Sequence, residues 1–321
     1  MKERDNYPLV TIIVSTYNSS RFILETLDSF VAQTYPNIEL IIGDDASSDD
    51  TLIKVRNWLS SNNNKNKFWD VKIIEVEVNT GVSANANRSL HKATGDWIKF
   101  IGADDVLLPN CIRDNMEFVK NNKNVRVLFS KVNKYNETFD PEKFIITAPG
   151  IINQNSIVGP NQTAEKQHQM LLRNDSIHFT PSVFLHRETL LSVNGFDERF
   201  RLLEDYPLWL NLTKKGHKLY FMDKVTVNYR THAHAINNTG KQHIVNPNYF
   251  KQERFRQIYT YPYLPTAERL NQRYVWYMSQ LFRLQWFNKV NGFNNLVYSI
   301  FTFYTNPFRY YLKIKKIIKS N

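Results

Sequence analysis

The chain has 321 residues, 42% of them hydrophobic, enough to bury a core as one large domain plus an extension or as two modest domains, which excludes a disordered or fibrous protein. Its single cysteine, Cys111, excludes an intrachain disulfide framework and any metal site built from cysteine clusters. The net charge of +11 favours polyanionic partners, whether nucleic acid, an anionic membrane face or phosphorylated substrates.

The opening MKERDNYPLVTIIV has no apolar run between a basic start and a small-residue cleavage site, so no secretion signal is expected and the reducing cytoplasm is the expected setting. Short runs rich in β-branched residues predict strands over 9–14, 38–42, 71–78, 97–101 and 125–129, some apolar throughout as in strands buried on both faces. A first helix is predicted between them, with Ile23, Leu27, Phe30 and Val31 at helical spacing after Ser19 and Ser20, stopped by Pro36. A second begins at a capping box of Ser47 and Asp50 ahead of Leu52, Val55 and Leu59. Alternation of this kind implies βαβ units and a largely parallel sheet. Residues 131–175 are rich in turn formers and read as a strand-and-loop insertion; apolar segments and helix signals return over 176–235, and 240–321 is helical and aromatic. The expected division is a domain over 1–238 and a helical C-terminal extension over 239–321. No run of about 18 uninterrupted apolar residues occurs, so a spanning helix is not expected.

Four polar clusters each follow a predicted strand: Ser15-Thr16-Tyr17-Asn18, Asp44-Asp45, Asn79-Thr80-Gly81 and Asp104-Asp105. In an open parallel sheet the carboxyl ends of the strands form the ligand crevice, although strands must end in polar turns in any case. Neither G-x-G-x-x-G nor G-x-x-x-x-G-K-[ST] occurs, and Gly81-Val82-Ser83-Ala84-Asn85 lacks the second glycine of a nucleophile elbow. Dinucleotide enzymes, P-loop ATPases and serine hydrolases therefore lose ground. An acidic edge repels a diphosphate unless a hard divalent cation accepts carboxylate and phosphate oxygens together, so Asp104-Asp105 reads as a Mg²⁺ or Mn²⁺ site.

The blocks VTIIVSTYN (10–18), ELIIGDDASSDDT (39–51), NTGVSANAN (79–87), GDWIKFIGADD (95–105), GFDERF (195–200) and LLEDYPLWL (202–210) resemble, in order, spacing and content, the family 2 glycosyltransferases of the GT-A fold. The resemblance covers about 1–235. It implies an α/β, Rossmann-like nucleotide-diphospho-sugar transferase fold with a mostly parallel central sheet flanked by helices. It also implies an inverting hexosyl- or N-acetylhexosaminyltransferase of bacterial polysaccharide synthesis, with a UDP-sugar or similar donor and a saccharide or lipid-linked saccharide acceptor. By carry-over the donor would be bound by Ser15, Thr16, Tyr17, Asn18, Asp44, Asp45, Ser83, Asn87 and Asp104, with its base near Ser15, Tyr17 and Asp45. Asp105 and His232 would hold the Mn²⁺ or Mg²⁺, and Asp205 would be the catalytic base, ionised at neutral pH because the unperturbed pKa of Asp is ~3.9. The pair Glu204-Asp205 also reads as the acidic first turn of a helix, with Glu204 a neighbour that orients. Arg230 and His234 are further candidates for the metal or the diphosphate, and His178, Thr180 and Pro181 for either sugar.

Two departures matter: Gly102 stands where many relatives carry an Asp, and Asn85-Ala86-Asn87 stands for Ala-Arg-Asn, with Arg88 two residues late. From Pro307, the tail PFRYYLKIKKIIKSN places Tyr310, Tyr311, Ile314, Ile317 and Ile318 on one helical face and Lys313, Lys315, Lys316 and Lys319 on the rest. Such a helix suits an anionic membrane surface, here the inner face of the plasma membrane, or it packs its apolar face on the protein's own core. A nucleic-acid-binding module is not expected, because no such motif occurs and the strand ends are acidic. A nucleotidyltransferase would show a glycine-rich basic loop near the first strand; a catalytically inactive GT-A-like scaffold or nucleotide-sugar-binding protein is the other alternative, and turnover separates it from the enzyme.

Overall fold

A computed structural model describes residues 7–61, 64–232 and 243–320. The chain divides into two compact units, Met1–Thr231 and His232–Asn321. The expected boundary at 238/239, and His234 with it, lies outside the described residues.

The first unit is built on a nine-stranded sheet: β1 (Val10–Thr16), β2 (Ile38–Asp44), β3 (Asp70–Ile74), β4 (Trp97–Gly102), β5 (Val106–Leu107), β6 (Val127–Asn136), β7 (Phe144–Ala148), β8 (Phe184–His186) and β9 (Leu219–Thr231). Their order is β3-β2-β1-β4-β8-β6-β9-β5, with β7 on β6. The first four are mutually parallel, β8 is antiparallel to both its neighbours, and β6 and β9 run parallel. Every residue of β2 is buried, as its apolar run predicts for a strand covered on both faces. The helices are α1 (Ile23–Val31), α2 (Thr51–Ser60), α3 (Val82–Lys92), α4 (Cys111–Asn121), α5 (Ala164–Leu171), α6 (Arg187–Ser192) and α7 (Asp205–Lys214). Helix α3 packs on β1 and β2, and α5 on α7.

Register positions the site. Thr16 pairs with Asp44, and Ser15 with both Gly43 and Gly102. The carboxyl ends of β2, β1 and β4 are therefore level, and the clusters after them open onto one edge. In a 3-2-1-4 order this edge, beside the first strand, is where a doubly wound sheet opens a crevice.

Two local expectations are corrected. The third strand ends at Ile74 rather than Val78: Glu75 pairs with Arg56, Val78 is 70% exposed, and the chain leaves the sheet to bring residues 79–81 against Asp45. No capping box forms at α2, because Ser47 bonds Asp44 through both its N–H and its hydroxyl, and Asp49 takes the Thr51 N–H instead. The predicted strand at 125–129 continues as β6 to Asn136 and pairs with β7, giving the insertion its strand character.

The second unit contains α8 (Pro247–Lys251), α9 (Glu253–Tyr259), α10 (Thr266–Ser279), α11 (Gly292–Ser299), a π-helical turn over Ile300–Tyr304 and α12 (Pro307–Ser320). Among the described residues, no helix is long and apolar enough to cross a membrane.

Candidate active site

The donor-side residues expected from the sequence divide into two groups. Thr16, Asp44, Asp45, Ser83 and Asn87 are buried. Asp44 accepts from the Thr16 hydroxyl at 2.6 Å and from the Ser47 N–H at 2.8 Å, tying the ends of β1 and β2 together. Asp45 accepts from the Thr80 hydroxyl at 2.7 Å, the Thr80 and Gly81 N–H groups and the Arg88 guanidinium at 2.9 Å. Burial alone would raise its pKa; these bonds outweigh burial and hold it below the usual carboxylate range. Asn87 bridges to the Gly195–Phe200 segment, its amide nitrogen donating to the Phe196 carbonyl at 2.9 Å and its oxygen accepting the Phe196 N–H. Ser83 donates to the Phe200 carbonyl at 2.7 Å. Gly195 permits this close approach: at φ 64° it lies in the left-handed region, and a Cβ there would sit 2.4 Å from Asn87 Oδ1.

Ser15, Tyr17, Asn18 and Asp104 are the more accessible members, with Tyr17 52% exposed. Asn18 clasps the loop after β2: its N–H donates to Ser47 Oγ at 2.8 Å and its Oδ1 accepts the Ser48 N–H at 2.8 Å. Ala46 in that loop adopts φ 66°, a conformation costing an alanine about 1 kcal/mol, which these bonds and those of Asp44 and Asp45 impose. Beside Asp45 a cleft of about 550 Å³ is lined by Asn79, Thr80, Ala84, Arg88, Glu198 and Arg201.

At the end of β4, Asp105 is 2% exposed and accepts the Arg230 N–H at 2.9 Å, a contact made possible by the pairing of β5 with β9. Burial first, and then the neighbouring Asp104, push its pKa well above the ordinary value against the opposing Arg230. Among the described residues, no group of three or more His, Cys, Asp or Glu is placed to hold a metal. Two carboxylates do converge: a Cβ on Gly102 would lie 2.7 Å from Asp104 Oδ1 and 3.8 Å from Asp105 Oδ2, so both oxygens face the space the glycine leaves. A pair of this kind suits a divalent ion that takes its remaining ligands from phosphates and water.

Arg230, a sequence candidate for the metal or the diphosphate, is held among the protein's own groups. Its guanidinium lies over the rings of Phe22 and Phe139 at 4.4 and 4.1 Å, bonds the Glu25 carboxylate and the Asp104 carbonyl, and is 2% exposed. His232 follows two residues later, as the first residue of the second unit.

Asp205, expected from the sequence to be the catalytic base, opens α7. Its Oδ2 accepts the Thr180 hydroxyl at 3.0 Å and its Oδ1 accepts its neighbour's Tyr206 N–H at 2.7 Å. Asp175, Glu204 and Asp205 are all half-buried. Burial raises the pKa of Asp205 against the lowering bonds of Thr180 and Tyr206; burial and then Asp205 raise Glu204, and the same two causes push Asp175 up to about 7. The ordinary value assumed for Asp205 from sequence is thus corrected upward, because the side chain is partly withdrawn from water.

Lys99 has no counterpart in the sequence reading. Fully buried in β4, it donates from Nζ to the Pro181 and Val183 carbonyls at 2.7 and 3.3 Å, anchoring the turn that presents Thr180 to Asp205. A lysine inside the otherwise apolar strand WIKFIG was the available signal, since a buried amine must find acceptors. Asp175 carried no signal of comparable strength.

The Glycosyl transferase family 2 profile matches residues 11–185. Over 246 residues the sequence is 32% identical to the Escherichia coli UDP-Glc:alpha-D-GlcNAc-diphosphoundecaprenol beta-1,3-glucosyltransferase WfaP, covering 76% of this chain and 86% of WfaP. The chain belongs to glycosyl transferase family 2. The fold is also that of S. aureus TarS 1-349 in complex with UDP-GlcNAc, with TM-score 0.56 and 20% identity over 85% of this chain and 72% of that one; the chain spans 43% of a longer TarS structure. A mannosyltransferase from Pyrobaculum calidifontis, in complex with GDP-Man and Mn²⁺, aligns with TM-score 0.51 and 16% identity over 94% of this chain and 72% of its own. With these neighbours the first unit is a GT-A glycosyltransferase fold.

Proposed function

We propose that this family 2 enzyme transfers a hexosyl or N-acetylhexosaminyl group, with inversion, from a UDP-sugar to a lipid-linked saccharide in bacterial cell-surface polysaccharide synthesis, working in the cytoplasm. The observation that carries the reading is Asp205: a half-buried carboxyl at the head of α7, aimed by Thr180 and by its neighbour's N–H, with its pKa raised. A base so held accepts a proton from a hydroxyl more readily than an ordinary aspartate, because its conjugate acid is more stable. The acceptor oxygen forms a bond to the anomeric carbon as the bond from that carbon to the diphosphate oxygen breaks. The electron pair leaves with the nucleotide diphosphate, and the hydroxyl proton passes to Asp205. One displacement inverts the centre.

On the donor side, Tyr17, Asn18 and Ser15 would contact the nucleotide, while Thr16, Asp44, Asp45, Ser83 and Asn87 act by fixing the loops around it. Asp104 would help hold the ribose or sugar. Asp105 would hold Mn²⁺ or Mg²⁺, which would neutralise the charge growing on the departing diphosphate. The UDP-Glc and diphosphoundecaprenol in the name of WfaP, and the UDP-GlcNAc complex of TarS, support the donor and acceptor classes.

The test is a panel of UDP-, GDP- and dTDP-sugars offered with a prenyl-diphosphate GlcNAc acceptor, with Mn²⁺ or EDTA, the product anomer read by NMR. Transfer from a UDP-sugar with inverted configuration, lost with EDTA and in Asp105→Ala, is expected. A retained configuration overturns the single displacement. Absence of both turnover and nucleotide-induced thermal stabilisation would put the inactive scaffold ahead.

A further inference from the structure

The second unit carries a surface unlike the rest of the molecule. From residue 269 to the end of the chain there are nine lysines and arginines and no aspartate or glutamate. Sixteen of the twenty-eight large hydrophobic side chains found exposed among the described residues lie between Tyr277 and Ile318, Trp286, Phe293 and Tyr304 among them at 61–66% exposure. Such a concentration exceeds the scattered apolar residues of an ordinary surface and marks a face that something covers.

Helix α12 shows how that face is built. It packs on α10 through one side: Phe308 meets the Tyr274 ring at 6.4 Å, and just ahead of the helix Asn306 donates to Asn271 Oδ1 at 2.9 Å. Arg309 lies over the Phe303 ring at 4.1 Å. The stripe of Tyr310, Tyr311, Ile314, Ile317 and Ile318 is left 46–70% exposed, so it does not pack on the protein's own core. At 100° per residue these five fall within about 120° of arc, and Lys313 and Lys315 flank the stripe symmetrically at about 100° from its centre. A helix of 14 residues is about 21 Å long, short of the ~30 Å hydrocarbon core, so it can lie along a bilayer but not cross it.

We propose that the second unit docks on an anionic lipid bilayer, the α12 stripe entering the interface and the lysines beside it meeting lipid headgroups. Charge decides the occupant: an exposed stripe of tyrosine and isoleucine flanked by Lys313 and Lys315, in a stretch from residue 269 onward that holds nine basic and no acidic residues, matches a surface that is negative everywhere and apolar just beneath. The inference is independent of the identity of the donor, and it would bring the enzyme to a lipid-borne acceptor.

The experiment is co-sedimentation of the full chain with vesicles of phosphatidylcholine alone or mixed with phosphatidylglycerol, at low and high salt, alongside sedimentation velocity without lipid. Salt-sensitive binding to the phosphatidylglycerol vesicles, far stronger than to phosphatidylcholine alone, is expected. Replacing Lys313 and Lys315 together by Gln should weaken it about thirtyfold, and Ile314→Asp with Ile318→Asp should abolish it; both sets are exposed, so the melting temperature should hold. Failure of the wild type to bind anionic vesicles overturns the proposal. So does binding that neither variant weakens. A dimer that Ile314→Asp dissociates, with no vesicle binding, would assign the face to a second copy of the chain instead.

Discussion

The carboxylates at the two sides of the candidate site are held in opposite ways. On the donor side, Asp44 and Asp45 are buried but surrounded by donors, and Asp45 stays below the ordinary carboxylate range. Around the start of α7, on the side proposed for the acceptor, Asp175, Glu204 and Asp205 crowd together with few donors, and all three are raised. The same residue type is thus held as a fixed anion in one place and kept closer to its protonated form in the other. Solvation and hydrogen bonding make the difference, not identity.

The contrast is broken most severely at Asp205. Asp205→Asn keeps the shape and removes the basic oxygen, so kcat should fall by about a thousandfold, within the usual range for a positioned base, while nucleotide affinity measured by calorimetry stays unchanged. A loss of nucleotide binding in this variant would move Asp205 to the donor side.

Asp45→Asn tests the opposite assignment. It removes a buried anion facing Arg88 and replaces an acceptor of several N–H and O–H bonds with an amide that must itself donate. The expected cost is about 3 kcal/mol in denaturant unfolding. Wild-type stability in this variant would show that the loop at 79–81 is held by other contacts.

Thr180→Val sharpens the acceptor side. Its hydroxyl lowers the Asp205 pKa, so without it the deprotonated, active base appears only at higher pH. The acid limb of the rate profile should move up and kcat at neutral pH should fall by roughly tenfold, with donor KM unchanged. Lys99→Met, which frees the turn bearing Thr180, should show the same split between kcat and KM, as a positioning residue would. If both parameters change together in either variant, the turn also shapes the donor site.

The smallest effect is expected for Glu204→Gln. A carboxyl whose folded pKa is raised binds its proton more tightly in the native state than in the unfolded one. Its contribution to stability therefore falls as pH rises from the ordinary carboxylate range through the raised value. The variant should melt close to the wild type near pH 4 and become progressively more stable than it toward pH 7, by a modest margin since the side chain is half-buried. An unchanging difference would place Glu204 in ordinary solvent.

Much of the fold was legible. β1 and β2 announce themselves as apolar, β-branched runs, and polar residues directly after such runs fall on one edge because parallel strands in register end together. The polar positions at the strand ends were legible in the sequence, but not which of them turn inward. That Thr16, Asp44, Ser83 and Asn87 turn inward depends on partners tens of residues away, such as Phe196 and Phe200 for α3. The grip of Lys99 on the Thr180 turn spans a similar distance, and Arg230, conspicuous as a cation, proves to be clamped between two rings. The overlong third strand has the same origin, since the bonds that draw residues 79–81 to Asp45 leave no trace in local pattern.

The most direct measurement is the pH dependence of kcat/KM for transfer, in the wild type and in Asp205→Asn. A half-buried Asp205 acting as base predicts an acid limb above the ordinary aspartate value of ~3.9, shifted toward neutrality, and the loss of that limb with most of the rate in the variant. A limb near 4, or one that survives unchanged in Asp205→Asn, would mean that another group takes the proton.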